Sequence, residues 1–331
     1  MAILSKKELL TIVERSIQES GAKLLFLNPG NKIPAQYMVT VDQDNFPVDV
    51  YIWNISHGGK GRSEKEFRIQ VTGVETFSVS NRERTAILGY YAENEIFVAY
   101  DPIRHSESKL GHSPSMQINK EVIVEAKKKG LALYQNAKGE SVVAFKPGLL
   151  ASYLHFQSEI HKSGETPDLL KAFHAAIVDD TFLQPLSELP SEREFAISST
   201  RKAIRASDFR SRVLGAYGSR CAICGMQIRL IDAAHILPVS IPSSTDETSN
   251  GVALCALHHR AYDNSLITFR PDYKLEYNKK LTEELVRVGL DEGLEEFLGH
   301  LPVMLQIPVE ESLRPKDVFV DKANKLRGWA L

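Results

Sequence analysis

Three cysteines in 331 residues leave little room for a disulfide framework, and their odd number argues further against one. No apolar run approaches the roughly 20 residues needed to cross a bilayer, so no membrane-spanning helix is expected. Met1 to Lys7 lacks the apolar core and cleavage site of a signal peptide, and the expectation is a cytoplasmic protein. With a formal net charge of −2, the chain as a whole does not advertise a polyanion as its partner, although a local basic patch can still bind one. There is no G-x4-GK[ST] phosphate loop, no internal repeat and no low-complexity tract. What remains, 43% apolar and 25% charged residues, is ordinary for a globular protein, and the length suits two domains.

The first part of the chain reads as mixed α and β. Ser5 and Glu8 make a capping box ahead of Leu9, Leu10, Ile12, Val13 and Ile17, with Gly21 as the stop. Runs rich in β-branched and aromatic residues follow at Tyr37–Val41, Val48–Ile55 and Phe67–Val71. Ala86–Tyr91 and Ile96–Tyr100 flank "AENE" as a hairpin, and Leu131–Tyr134 and Ser141–Phe145 bracket a second one. Between them Asn119 caps a helix that runs to Lys129, with Gly130 behind it. The alternation suits an antiparallel sheet. From Ile177 to Thr200 prolines, acids and hydroxyl residues blur the pattern, so residues 177–200 are expected to link a domain at 1–176 to another at 201–331.

All three cysteines sit in the second part. "CAIC" at 221–224 and "CALH" at 255–258 give C-x2-C followed by C-x2-H. Two such pairs on tight turns can place Cys221, Cys224, Cys255 and His258 tetrahedrally around a structural Zn2+. The bland alternative is three buried thiols and a surface histidine, and a redox role for the first pair lacks the βαβ setting it needs. Zinc leaves His259 and Asp263 over, four apart and so on one face of a helix, along with His235 and Asn250.

"CAICGMQIRLIDAAHILPVS", "NGVALCALHHRAYDNSLITF" and the preceding "DFRSRVLGAYGSRC" together resemble the HNH nuclease family, with its ββα-metal fold. The resemblance covers about 70 residues. It implies that His235 is the general base, that Asn250 fixes the loop positioning it, and that His259 and Asp263 hold a catalytic divalent ion such as Mg2+. Many members of the family place another ligand immediately before the base; here that position is Ala234. Asp232 either substitutes for it through a local bulge or caps a turn, and a degenerate site is the third option.

Arg205, Arg210 and Arg212 precede the first cysteine on a helix whose apolar face is Phe209, Val213, Leu214 and Tyr217. They form either a solvated face or a set of phosphate contacts, and Arg260, beside His259, is a weaker candidate of the same kind. In the first domain "HGGKGRSEK" at 57–65 is either a flexible hairpin loop or one that enters a DNA groove with Lys60 and Arg62. Trp53, Tyr90 and Tyr91 are either core or an aromatic pocket for a flipped base.

The expected fold is therefore α+β, a mixed α/β-sheet DNA-recognition domain followed by a zinc-containing ββα-metal nuclease domain. The expected function is a metal-dependent restriction endonuclease acting as a homodimer on double-stranded DNA, with methylated DNA as a candidate signal. A nicking or structure-selective nuclease and a non-catalytic zinc module that binds DNA are the alternatives.

Overall fold

A computed structural model describes residues 3–28, 32–41, 44–59, 61–79, 84–106, 114–136, 138–162, 191–228 and 230–329. They form two units, Met1–Ile204 and Arg205–Leu331.

The first unit is built on a nine-stranded sheet. Helix α1 (Lys6–Glu19) opens on the capping box: the Ser5 side chain accepts from the Glu8 amide while the Glu8 carboxylate accepts from Ser5. Strands β1 (Lys23–Phe26), β2 (Ala35–Val41) and β3 (Asp44–His57) form an antiparallel meander. The last three residues of β3 leave it and pair with β4 (Glu66–Gln70). Strand β5 (Arg84–Tyr91) then returns beside β3 in parallel, so the sheet is mixed rather than purely antiparallel. The excursion through β4 supplies the crossover that a parallel pair requires. β6 (Ile96–Tyr100) forms the expected hairpin with β5; β7 (Ser115–Asn119) pairs with β4, and β8 (Leu131–Gln135) with β9 (Ser141–Phe145). Helix α2 (Lys120–Lys129) lies between β7 and β8, its first turn capped by Asn119.

Both faces of the central strands are covered, which is why β5 and β6 read as continuous apolar runs. On one face Val48, Val50, Ile52 and Tyr90 pack with α1 and with α3 (Leu150–Lys162). On the other Tyr51, Trp53, Ile55 and Tyr91 pack with β4, β7 and α2. Trp53, Tyr90 and Tyr91 are thus core residues divided between opposite faces, and they do not form an open aromatic pocket. Gly89 sits where β3 and β4 cross close over β5: a Cβ there would lie 2.5 Å from Ile69 and 2.6 Å from Ile55.

Helix α4 (Ser191–Ala216) begins inside the stretch expected to be linker, and Ala196 and Ile197 bury in the first unit's core. The rest of that stretch, 177–190, lies outside the described residues. In the second unit Phe209 and Val213, later on the same helix, pack on an antiparallel hairpin of β10 (Ile231–His235) and β11 (Gly251–Cys255). Helix α5 (Ala256–Asp263) follows β11 without a loop, completing a ββα unit. A second hairpin, β12 (Ile267–Phe269) with β13 (Leu275–Tyr277), and the helix Asp317–Leu326 close the core. Asn324 ties that last helix to β12, accepting from the Thr268 hydroxyl at 2.6 Å and donating to the Phe269 carbonyl at 2.9 Å.

Candidate active site and metal centre

Cys221 and Cys224 occupy a tight turn. The Gly225 amide donates to the Cys221 carbonyl, the Cys221 amide donates to Met226, and Gly225 takes φ +72°, a region that suits glycine. The Ala222 amide anchors this turn to the Ala253 carbonyl of β11 at 2.7 Å. Cys255 ends β11 as the residue flanking α5, and His258 follows three residues later on the same side. Their ligand atoms all lie within 4.8 Å of one another: 3.5 Å from Cys221 Sγ to His258 Nδ1, 3.2 Å from Cys255 Sγ to His258 Nδ1 and 3.9 Å from Cys224 Sγ to Cys255 Sγ. Bonds of about 2.3 Å to sulfur and 2.0 Å to nitrogen give a tetrahedron with edges of about 3.5–3.8 Å, so this set fits Zn2+. Crowding splits the thiols. Burial pushes Cys221 up, but hydrogen bonds from His258 and backbone amides outweigh it and carry it down to about 6; burial and the adjoining thiols push Cys224 up to about 11. A bound dication removes the repulsion between neighbouring thiolates, which is the electrostatic reason such a set wants a metal.

His235 ends β10 opposite Gly251. Its ring stacks on Phe209 at 3.7 Å between centroids and 9° between planes. A Cβ at position 251 would collide with Val213 and come within 2.9 Å of the Phe209 ring, so glycine there keeps the stacking partner in place. His235 Nε2 lies 2.9 Å from Asp246 Oδ1, and the ring's other nitrogen has no hydrogen bond among the described residues. Asn250 is fully buried. Its Oδ1 accepts from the Leu237 amide at 2.9 Å, and its Nδ2 donates to Thr245 O at 2.8 Å and Ser244 Oγ at 3.1 Å, which holds the loop between β10 and β11 closed behind His235.

His259 and Asp263 share one face of α5, with Nε2 3.5 Å from Asp263 Oδ2 and both side chains partly open to solvent. Asp232 approaches the other side of the ring: its Oδ2 is 3.9 Å from His259 Nδ1, an ion-pair distance, while its Oδ1 accepts from Arg210 at 2.6 Å. β10 pairs residue for residue with β11 from Ile231 to His235, so Asp232 neither bulges nor caps a turn; it stands in the ladder two residues before Ala234. Asp232 chiefly, with Asp263, holds the His259 imidazole above its ordinary value against the opposing effect of burial, and His259 with Arg210 holds Asp232 below its own. The two carboxylates meet different nitrogens. An ion at Nε2 would take His259 and Asp263 as ligands, with Asp232 orienting the ring from Nδ1.

Residues 221–270 match the model of the HNH endonuclease family, and residues 47–154 match that of the family described as methylase-associated X1. The second unit carries an HNH endonuclease domain. No curated protein matches the chain. Among solved structures, a modification-dependent restriction endonuclease, TagI, aligns over 83% of this chain and 80% of its own, at 11% identity and a TM-score of 0.29.

Around the HNH site the arginines are mostly engaged within the protein. Arg210 donates to Asp232 and to the Ile231 carbonyl, and Arg212 donates to Asp208, to Thr248 Oγ1 and to the Asp246 carbonyl. Arg205, exposed on α4, is likewise not without a partner, and Arg260 is exposed on α5 beside His259. In the first unit Arg62 is exposed and pairs with Glu66 at 3.5 Å; Lys60 lies outside the described residues. Among the described residues the Cys3His set is the one group of three or more convergent metal-ligand side chains.

Sequence reasoning missed Asp246, Phe209 as the partner of His235, and Arg212 as a clamp on the loop. Asp246 stands eleven positions beyond the histidine, in a run of hydroxyl and acidic residues with no periodicity to mark it. Only the closure of the loop brings it near.

Proposed function

We propose that this protein is a DNA endonuclease of a restriction system, in which the HNH domain hydrolyses phosphodiester bonds with one catalytic divalent ion and the first unit selects the target. The observation that carries this reading is the ββα unit itself. It sets an imidazole with one free nitrogen at a strand end and a half-exposed His–Asp pair on the following helix, with the Cys3His set at the junction.

In this reading His235 takes a proton from a water molecule, whose oxygen attacks phosphorus in line with the departing 3′ oxygen. The ends are then 5′-phosphate and 3′-hydroxyl. His259 and Asp263 hold the divalent ion, which when bound stabilises the charge that builds on the phosphate and the leaving oxygen. Mg2+ suits so few protein ligands because it keeps several waters. Arg260 and Arg205 are the contacts we assign to backbone phosphates. Because one such site cuts one strand, a double-strand break follows most simply from a homodimer.

The match of residues 47–154 to a methylase-associated domain supports the restriction setting, in which methylation marks the DNA that is cut or spared. The loop at 57–65, with Arg62 exposed on it, is the first unit's candidate for contacting the duplex. Metal-dependent cleavage of matched methylated and unmethylated plasmids, with the ends sequenced, tests the whole reading. His235→Ala is expected to lower the rate by about 10²–10⁴-fold with DNA binding and zinc retained. Cleavage by this variant at the wild-type rate contradicts the base assignment, and a wild-type protein that binds DNA but cuts none under any divalent ion leaves a zinc-containing binding module.

A further inference from the structure

We infer that Asp246 is a positioning residue for catalysis, which selects the tautomer of His235 that leaves Nδ1 free to accept the proton. The inference rests on the reading of His235 as the general base.

The His235 ring is already placed by other means. Its face lies against Phe209, and its backbone is fixed by the β10–β11 ladder. What stacking cannot decide is which nitrogen carries the proton, because the two tautomers have the same shape. Asp246 Oδ1, 2.9 Å from Nε2, decides it: a carboxylate only accepts, so Nε2 must donate and Nδ1 is left with its lone pair. When Nδ1 takes the proton of the attacking water, the water oxygen bonds to phosphorus and the bond to the 3′ oxygen breaks, that oxygen drawing a proton from solvent. Nε2–H stays on Asp246 throughout, and the carboxylate charge balances the imidazolium.

The loop that carries Asp246 is itself held on both sides. Arg212 donates to the Asp246 carbonyl at 2.7 Å and to Thr248 Oγ1 at 2.8 Å, and Asn250 Nδ2 donates to the Thr245 carbonyl at 2.8 Å. Arg212 and Asn250 thus clamp the segment 245–248 on either side of Asp246. An exposed pair on a loose loop would spend much of its time apart. Here the loop is tied, and the side chains are only 19% and 35% exposed.

The test uses the full chain with zinc bound, labelled with 15N-histidine. In the wild-type spectrum the resonances lost in His235→Ala are expected to show the Nε2–H tautomer. Asp246→Asn is expected to lower single-turnover cleavage by about 10²–10⁴-fold, because an amide can donate to Nε2 and so favours the wrong tautomer. Zinc content and DNA affinity should stay within about twofold of wild type, and the His235 signals should move toward the Nδ1–H form. A wild-type His235 in the Nδ1–H form overturns the inference, and this measurement needs no variant that might fail to fold. Asp246→Asn cutting within about threefold of wild type, with His235→Ala inactive, overturns Asp246 alone. Undiminished cutting by His235→Ala removes the general base and this inference with it.

Discussion

His258 and His259 are consecutive in the chain and on one helix, yet they belong to two different chemical environments. His258 is 6% exposed and faces three thiols; the His259 side chain is 27% exposed and faces two carboxylates. Successive residues on a helix point about 100° apart, so one turn can serve a closed site on its inner side and an open one on its outer side. The closed set has four soft or borderline donors, enough to complete a tetrahedron, which suits a metal that holds the fold. The open pair leaves most of an ion's coordination to water and substrate, which suits a metal that takes part in chemistry. Under the proposed function, a scaffold ion and a reacting ion on one short helix would share their rigidity: whatever fixed the first would also aim the second.

The strongest way to break this comparison is to remove a ligand from the closed side. Cys255→Ser or His258→Ala is expected to lose about one zinc per chain and to unfold the second unit, since structural zinc sites of this kind contribute on the order of 10 kcal/mol of folding free energy. Metal analysis and hydrogen exchange over residues 205–331 check it. A fully protected, zinc-free unit contradicts a structural role for the four ligands.

A ligand removed from the open side should leave the fold alone. Asp263→Ala is expected to retain zinc and melting temperature but to need about 10–100-fold more Mg2+ or Mn2+ for half-maximal cleavage. Asp232→Ala should show a milder version of the same shift, because Asp232 acts through His259. If Asp232→Ala has the larger effect, Asp232 is itself a ligand and the two-ligand picture fails.

A smaller effect is expected behind the site. Asn250→Ala leaves the buried Leu237 amide without its acceptor and should reduce stability by about 1–3 kcal/mol, read from denaturant midpoints. The loop that carries Asp246 should then exchange its amides faster while zinc stays bound. The smallest change in stability belongs to Arg62→Ala, an exposed pair with Glu66 that should contribute less than about 1 kcal/mol. Its expected effect is on target DNA instead, seen as weaker competition binding at a fixed salt concentration.

Much of this was legible in the sequence, and for identifiable reasons. The capping box at Ser5 and Glu8, the Asn119 cap, the two hairpins and the alternating cores are local signals, carried by residues a few positions apart. The C-x2-C and C-x2-H spacings are local in the same sense: each pair is set by one turn of backbone, and only the meeting of the pairs needs the fold. The mixed α+β architecture with its HNH domain could therefore be read from sequence and resemblance together. Between residues 177 and 200 the local signal was weak. Residues 191–200 are helical because tertiary packing buries Ala196 and Ile197, which overrides a weak pattern.

What the sequence by itself determined is which donors and which apolar faces are available, and at what spacing along the chain. Tertiary structure alone decided how they are used. It laid β5 parallel to β3, and it divided Trp53, Tyr90 and Tyr91 between two cores on opposite faces of the sheet. It turned Arg210 and Arg212 inward as clamps, brought Asp232 to the far nitrogen of His259, and closed a loop so that Asp246 reaches His235. The physical reason is the same in each case. A side chain's partner across a loop or between strands is fixed by the path of the backbone and the closure of the core, and neither leaves a period or a spacing in the sequence to read.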